Sequence, residues 1–155
     1  MIGIQYVSGD ATSPVTGGSK IICHVCNDIG AWGAGFVLAL SRKWKEPEQD
    51  YRNWFKNGSP KLGHTLFSMI DSSLYVANMI GQHGCGWSNG IPPIRYDALL
   101  RCLEQVLDFA IKKGCSVHMP KIGCGLAGGV WKEIEPLIVK SLSERDIPVY
   151  VYTLG

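Results

Sequence analysis

The sequence predicts an α/β protein built around one mixed β-sheet. Three observations favour this fold class. Short β-type runs alternate along the chain with amphipathic helical segments, which is the order expected of a sheet covered by helices. Two consecutive runs lie close enough to form a hairpin, so one pair of strands is antiparallel. No linker, internal repeat or low-complexity tract interrupts the 155 residues, and we therefore expect a single domain over residues 1–155.

The first part of the chain is expected to form two strands and two helices. The run IGIQYV at residues 2–7 ends at Ser-Gly-Asp, and KIICHVC at residues 20–26 is almost continuously apolar, as in a strand buried on both faces. Apolar residues then recur at helical spacing, which predicts a helix from Ala34 to about Trp44 with Gly35 in its first turn. The segment EPEQDYRNWFKNG at residues 46–58 predicts a second helix, because proline is tolerated in a first turn and Asn-Gly ends a helix.

The second part of the chain is expected to begin with the hairpin, formed by GHTLFSMI and SLYVANMI at residues 63–70 and 73–80. The glycine-rich stretch GQHGCGWSNGIPP that follows is longer than most connections in a compact domain. The segment 94–113 has a regular apolar face and stops at Gly114, which predicts a long helix with a glycine cap. A strand, a second glycine loop, a helix and a final strand are expected at residues 115–120, 121–129, 130–145 and 147–154.

Charge and hydropathy argue against nucleic-acid and membrane functions. The chain carries 15 basic and 13 acidic residues, a net charge of +2, and its pI is near 8.2, which is too little positive charge for a protein that binds nucleic acid through its phosphates. Residues 1–20 lack a basic segment followed by a long apolar one, and no run of about 18 apolar residues occurs. We therefore expect no membrane association and a cytoplasmic location.

The six cysteines do not indicate disulfides or a metal site. Because 46% of the residues are hydrophobic, the core does not need covalent links, and reduced thiols are expected. Cys23, His24 and Cys26 form one ligand-like group, but in a strand the two thiols point to opposite faces. No second pair of cysteines or histidines completes a set of four ligands, so we expect neither a metal nor another cofactor.

Two glycine loops stand in equivalent places, each leaving a buried strand and leading to a helix. The first is CNDIGAWGAGF at residues 26–36, and the second is PKIGCGLAGGVW at residues 120–131. Backbone N–H groups without side chains in the way can approach a ligand closely, and a helix N-terminus adds positive charge, so such loops suit an anion. Each loop alone is equally consistent with simple turns, but two facing loops at strand ends favour a diphosphate. Neither the phosphate-loop motif nor the dinucleotide-binding spacing is present.

Four motifs in register resemble the macrodomain, a module that binds ADP-ribose: VSGDAT, HVCNDIGAWGAGFVLAL, MPKIGCGLAGGVW and VYVYTL. The resemblance runs from Tyr6 to Leu154 and is nearest to the branch that contains ADP-ribose 1″-phosphate phosphatases and terminal ADP-ribose protein glycohydrolases. It implies a three-layer α/β/α fold with a central mixed, mostly parallel sheet. It also implies a monomer that takes ADP-ribose, ADP-ribose 1″-phosphate or ADP-ribosylated protein as its partner.

The resemblance also implies which residues bind. The adenosine end would involve residues after the first strand and in or after the last one, namely Gly9, Asp10, Ala11, Tyr152 and Leu154. The diphosphate and the distal ribose would lie between the two glycine loops, against Asn27, Trp32, Gly33, Ala34, Gly35 and Phe36 on one side and Ile122, Gly123, Cys124, Gly125, Leu126 and Ala127 on the other. Asp10 would accept a hydrogen bond from the adenine amino group, and Trp32 would wall the distal end. From the residues alone, a turn or cap role for Asp10, a turn role for Asn27 and strand packing for Tyr152 stay open as alternatives.

The same resemblance bears on catalysis. The glycohydrolases are expected to use a lysine and an aspartate, but Gln82 and Ala127 occupy those positions, so that mechanism is absent. The phosphatase motif fits better, with His24 as the ionisable group, Asn27 as a donor and His83 as a general acid. His24 is also consistent with a core histidine. Cys124 is consistent with either a nucleophile of lowered pKa or a small buried residue.

Three functions therefore stay open: hydrolysis of the terminal phosphate of ADP-ribose 1″-phosphate, non-catalytic recognition of free or protein-linked ADP-ribose, and hydrolysis of ADP-ribosyl groups assisted by the substrate's own diphosphate. Each requires the same cleft between the glycine loops. We expect Gly35→Glu to abolish ADP-ribose binding while leaving the fold intact.

Overall fold

The computed structural model describes residues 3–155, so the first position of the first predicted strand, residue 2, lies outside the described residues. In chain order the elements are β1 (Gln5–Ser8), β2 (Lys20–Asn27), α1 (Phe36–Lys43), α2 (Glu46–Asn57), β3 (Thr65–Asp71), β4 (Leu74–Gln82), α3 (Tyr96–Lys113), β5 (Ser116–Pro120), α4 (Trp131–Ser141) and β6 (Val149–Thr153). Two 3₁₀ turns lie at Gly125–Ala127 and Ser143–Arg145. None of the helices in the described part of the chain is both long and apolar enough to span a membrane.

The six strands form one sheet in the order β1-β6-β5-β2-β4-β3. All neighbouring pairs are parallel except β3 and β4, which form the predicted antiparallel hairpin. The expectation of a mixed, mostly parallel sheet is therefore confirmed. Because β2 and β5 are parallel neighbours, their carboxyl ends lie at the same edge of the sheet, which brings the two glycine loops together.

Helices cover both faces of this sheet. On one face, α3 and α4 pack against strand residues that include Ile21 and Cys23, and on the other face α1 and α2 pack against residues that include Ile22 and Cys26. The alternation along β2 follows from the period of two in an extended strand. It confirms the three-layer α/β/α arrangement and places Cys23 and Cys26 on opposite faces, as the sequence predicted.

Three helix boundaries differ from the prediction by two or more residues, and one of them is the start of α3, which lies at Tyr96 and not at residue 94. The first helix begins at Phe36, and Gly35 is its N-cap with φ 80° and ψ −146°, a conformation that only glycine adopts readily. Gly35 therefore precedes the first turn and is not part of it. The last helix was expected to reach residue 145, but α4 ends at Ser141 and a separate 3₁₀ turn follows at Ser143–Arg145. The predicted glycine cap of α3 is confirmed, since Gly114 is left-handed with φ 68°.

Candidate ligand-binding site

A cleft lies at the carboxyl ends of β2 and β5. It consists of a first hollow of about 350 Å³ and a second hollow of about 360 Å³. Both hollows are lined by Val25, Ala34, Gln82 and Leu126, so they form one continuous cleft. The first hollow is bounded by residues 120–127 of the second glycine loop, and the second hollow by residues of the first glycine loop and of the β4–α3 connection.

The first glycine loop is shaped by Asn27. Its side-chain oxygen accepts hydrogen bonds from the N–H groups of Ile29 at 3.1 Å and Ala31 at 3.0 Å and from the Tyr51 hydroxyl at 2.8 Å, and its amide nitrogen donates to the Ala31 carbonyl at 2.7 Å. These contacts fold the chain after β2 into a fixed turn. Asn27 also lines the second hollow, and its predicted contact with a distal ribose and its catalytic role stay predictions.

Trp32 belongs to this loop, and its side chain packs beneath it and is only 6% exposed. Its ring nitrogen donates to the Ser41 hydroxyl at 2.8 Å, and its ring packs edge-on against His24 and tilted against Tyr51. Trp32 does not line either hollow. The structure therefore gives Trp32 a supporting position under the loop, and its predicted role as a wall of the site stays a prediction.

The segment Gly33-Ala34-Gly35 is exposed and borders the cleft. No side chain among the described residues caps the N-terminus of α1, so the free N–H groups and the positive end of the helix dipole are available to an anion. A Cβ atom built on Gly35 would lie 3.7 Å from Leu126 Cδ1, which shows that the two loops face each other across the cleft. The left-handed φ of Gly35 means that Gly35→Glu would strain the backbone by about 1–3 kcal/mol, so that variant is expected to be less stable, and its intact fold stays a prediction.

The glycines of the second loop have two different roles. A Cβ on Gly123 would lie 2.9 Å from Ile134 Cδ1, so Gly123 is required for close packing against the helix that follows. A Cβ on Gly125 would meet no heavy atom within 4 Å, and Gly125 borders the first hollow. Gly125 begins the 3₁₀ turn that carries the exposed Leu126 and the buried Ala127 to the cleft. The packing interpretation therefore fits Gly123, and the ligand-binding interpretation fits Gly125.

His24 forms part of the floor of the first hollow and is 1% exposed. Its Nε2 lies 2.6 Å from the Asn78 side-chain oxygen, and the Asn78 amide nitrogen donates in turn to Ser68 Oγ at 3.0 Å. Because the Asn78 oxygen can only accept, Nε2 carries the proton and Nδ1 keeps its lone pair. Burial lowers the pKa of His24 to about 4, although the hydrogen bond to Asn78 opposes this shift. His24 is therefore a neutral and weakly basic side chain.

His83 lies outside both hollows, on the connection between β4 and α3. Its Nδ1 is 2.7 Å from Asp28 Oδ2, and the Gly84 N–H donates to the other Asp28 oxygen at 2.8 Å. Burial raises the pKa of Asp28, but the bonds from Gly84 and His83 outweigh it, and the net pKa is below the usual value. Asp28 thus ties this connection to the first glycine loop. The proposed role of His83 as a general acid stays a prediction.

The remainder of this connection is a small hairpin. Ser88 and Ile91 form an antiparallel bridge around Asn89 and Gly90, whose φ values of 52° and 75° fit a type I′ turn. The His83 N–H donates to the Pro93 carbonyl at 2.8 Å and closes the base of the hairpin. The glycine-rich stretch therefore has a defined fold beside the second hollow.

At the predicted adenosine end, Asp10 and Leu154 are exposed where β1 and β6 end side by side. Asp10 Oδ1 accepts hydrogen bonds from the Thr12 N–H and hydroxyl, both at 2.8 Å, and these bonds lower the pKa of Asp10. Its other oxygen makes no hydrogen bond within the described residues and is free to accept one. Leu154 is 78% exposed, so its apolar side chain is available to cover a base. The predicted contacts of Asp10, Leu154 and the buried Ala11 with adenosine stay predictions.

Tyr152 is buried beneath this end. A Cβ on Gly9 would lie 3.7 Å from the Tyr152 ring, and the Tyr152 hydroxyl accepts the Val15 N–H at 3.0 Å. Tyr152 therefore supports the loop that carries Asp10. Strand packing, the alternative that the sequence left open, matches this position.

The titratable groups of the cleft are few. Of the described residues that line it, none has a carboxylate, and the ionisable ones are His24, Cys26, Cys85, Lys121 and Cys124. Burial raises the pKa of the Cys124 thiol against the opposing charge of Lys121, so the lowered pKa considered for a Cys124 nucleophile is wrong. Lys121 was not recognised in the sequence. It is brought to the cleft by the end of β5.

No group of three or more histidine, cysteine, aspartate or glutamate side chains within residues 3–155 is arranged to hold a metal ion. Besides His24 and the thiols, the polar side chains that line the cleft are those of Asn27, Gln82 and Lys121, and the exposed loops also offer backbone N–H groups. Such groups can bind an anion and stabilise negative charge.

No family model matches the chain, but solved structures and curated proteins do. A protein of unknown function from Bacteroides thetaiotaomicron is 54% identical with a TM-score of 0.97 and 99% of each chain covered. A macrodomain protein from Streptomyces coelicolor is 48% identical with a TM-score of 0.85, over 98% of this chain and 99% of that one. The macrodomain of Thermus aquaticus DarG shares the fold at 18% identity and a TM-score of 0.75, over 97% of both chains.

Among curated proteins, the Chromodomain-helicase-DNA-binding protein 1-like of Mus musculus is 35% identical over 96% of this chain. The chain spans only 17% of that protein and 16% of its Danio rerio counterpart. The ADP-ribose 1″-phosphate phosphatase of Lodderomyces elongisporus is 28% identical over 96% of this chain and 98% of its own length. Its Candida albicans counterpart is 25% identical over 96% and 99%.

Proposed function

We propose that this chain, which belongs to the macrodomain family, binds ADP-ribose in the cleft between its two glycine loops. The observation that carries the proposal is the pair of loops itself. The exposed Gly33-Ala34-Gly35 segment with the uncapped helix behind it faces the 3₁₀ turn at Gly125–Ala127 across about one side chain's width. A pyrophosphate suits this arrangement because the N-terminus of α1 has no side-chain cap and no carboxylate among the described residues lines the cleft.

Groups on two sides of the cleft support the orientation of the ligand, and of these Asp10 and Leu154 lie outside the two hollows. Asp10 and Leu154 offer an acceptor and an apolar cover where β1 and β6 end, as an adenine requires. The second hollow, bordered by Asn27 and Cys85, has room for a distal ribose at the opposite side. A Thermosipho africanus DarTG structure is named as a complex with ADP-ribose, and at 16% identity it supports the fold comparison alone.

A second candidate function is hydrolysis of the terminal phosphate of ADP-ribose 1″-phosphate. It is favoured by the relatives of that name, which match this chain over nearly their whole length at 25 to 28% identity. In such a reaction the loop N–H groups and Lys121 would stabilise the developing charge. His24 could act only as a weak neutral base, because its pKa is about 4.

The lysine and aspartate mechanism of the glycohydrolases finds no support in the cleft. Gln82 lines both hollows and Ala127 lines the first, at the positions where the two catalytic side chains would stand. An amide and a methyl group can neither form a Schiff base nor transfer a proton. Recognition of protein-linked ADP-ribose, the monomeric state and a cytoplasmic location stay predictions.

The test is to titrate the protein calorimetrically with ADP-ribose, and to incubate it with ADP-ribose 1″-phosphate and with ADP-ribosylated protein while following phosphate and ADP-ribose release. Binding without release of either product supports the primary proposal and removes the second candidate. Phosphate release from ADP-ribose 1″-phosphate supports the second candidate, and release of ADP-ribose from the modified protein would support ADP-ribosyl hydrolysis instead. Absence of binding to all three ligands would overturn both.

A further inference from the structure

His118 forms a buried polar cluster under the adenosine end of the cleft. It lies on β5 and is 0% exposed. Its Nδ1 is 2.7 Å from the Tyr152 hydroxyl, and its Nε2 is 2.8 Å from Ser116 Oγ and 3.2 Å from Thr16 Oγ1. The ring is also stacked on Tyr150 with a centroid distance of 4.9 Å. The sequence motifs indicated Tyr152 but not His118, and neither candidate function uses His118 directly.

The hydrogen bonds of the cluster determine the tautomer of His118. The Val15 N–H can only donate, so the Tyr152 hydroxyl accepts this bond and gives its own proton to His118 Nδ1. Nε2 then carries the ring proton and donates it to Ser116. Burial lowers the pKa of His118 to about 4, with a smaller contribution from the charge of Lys20. The ring is therefore neutral at physiological pH and remains an acceptor for Tyr152.

The cluster fixes the second half of the loop between β1 and β2, which comprises residues 9–19. Tyr152 holds the Val15 N–H, and His118 also contacts the Thr16 hydroxyl directly. The middle of the loop is held separately by Lys43, whose ammonium group donates to the Thr12 carbonyl at 2.7 Å and to Ser13 Oγ at 2.6 Å. Removing the Tyr152 hydroxyl would therefore release the loop at Val15 without detaching it from the protein.

We propose that His118 and Tyr152 are positioning residues that hold the Asp10 loop in the geometry needed to recognise the 6-amino group of adenine. This inference rests on the proposed binding of ADP-ribose. Neither side chain lines the cleft, and both act from beneath, through Val15 and Thr16. Because a hydrogen bond depends steeply on distance and angle, a small shift of the Asp10 carboxylate removes the preference for the amino group.

The test compares ADP-ribose with the analogue in which hydrogen replaces the 6-amino group, using Tyr152→Phe and His118→Phe. The ratio of the two dissociation constants is the readout, because partial unfolding removes binding sites for both ligands equally. We expect the native protein to prefer ADP-ribose about tenfold or more, as for a hydrogen bond to a charged group. Both variants should bring the ratio to within about threefold of unity.

Tyr150→Phe is the matched control. Tyr150 contacts the same histidine ring, and its hydroxyl makes no hydrogen bond within the described residues. This variant should keep the native ratio. A Tyr152→Phe protein that still discriminates like the native protein would overturn the inference while ADP-ribose binding stands. Equal binding of both ligands by the native protein would also overturn the inference. Failure of the native protein to bind either ligand would overturn the proposed binding of ADP-ribose, on which the inference rests.

Discussion

Gly33→Glu is the substitution that most sharply probes the anion-binding loop. Gly33 is exposed and lines the second hollow. Its φ lies outside the left-handed region, and a Cβ atom there would meet no heavy atom within 4 Å. A side chain at this position therefore leaves the fold unstrained, unlike one at Gly35.

The expected loss follows from charge repulsion. A carboxylate at residue 33 would stand roughly 5 Å from a pyrophosphate held by the loop, and at an effective dielectric constant of about 20 two like charges at that distance repel by about 3 kcal/mol. A repulsion of this size weakens binding roughly 100-fold. Because the cleft is open to solvent, added salt should restore part of the affinity.

The assay is calorimetric titration with ADP-ribose at low and high ionic strength. Gly33→Gln is the control, because it has nearly the same shape without the charge. We expect the glutamine variant to bind within about tenfold of the native protein and the glutamate variant to be roughly 100-fold weaker at low salt. Equal affinities for the two variants, at both ionic strengths, would refute the placement of a diphosphate beside Gly33.

Three further predictions concern the cleft and the groups packed beneath it. As the pH falls from about 7.5 to 5, the free energy of unfolding measured in urea should drop by about 2 kcal/mol for each of His24 and His118. The drop follows because the pKa of each is 6.5 in the unfolded chain and about 4 in the folded protein, so the unfolded chain binds protons first. A free energy of unfolding that stays constant over this range would contradict the burial of both rings in the neutral form. Lys121→Met should weaken ADP-ribose binding and reduce its salt dependence, whereas Lys132→Met on the exposed surface should change neither in the same titration. Asn27→Ala should lower the free energy of unfolding by about 1–3 kcal/mol, since buried donors lose their acceptor. If urea denaturation gave the same free energy of unfolding as for the native protein, the Asn27 side chain would not be what holds the loop in shape.

The sequence was most informative where one residue type has one structural meaning. Gly114 ended the long helix because a left-handed cap follows from glycine, and the apolar run at β2 predicted a central strand. The start of the first helix was misplaced because apolar spacing does not reveal that Gly35 has a φ that excludes it from a helical turn. The position of both glycine loops, however, followed directly from their place after parallel strands.

The polar groups that support the site were missed because they depend on which strands are neighbours. Asn78 meets His24 only because β4 pairs with β2, and His118 meets Tyr152 only because β5 pairs with β6. Asp28 likewise contacts His83 across 55 positions of chain. A histidine inside an apolar strand signals a buried polar partner, but a single sequence does not name that partner.

A crystal structure of the protein grown with saturating ADP-ribose tests the central claim most directly. The account predicts electron density for the pyrophosphate between Gly33-Ala34-Gly35 and the turn at Gly125–Ala127, with the base beside Asp10 and the distal ribose in the second hollow. Density for the nucleotide at any other surface, with this cleft unoccupied, would contradict it.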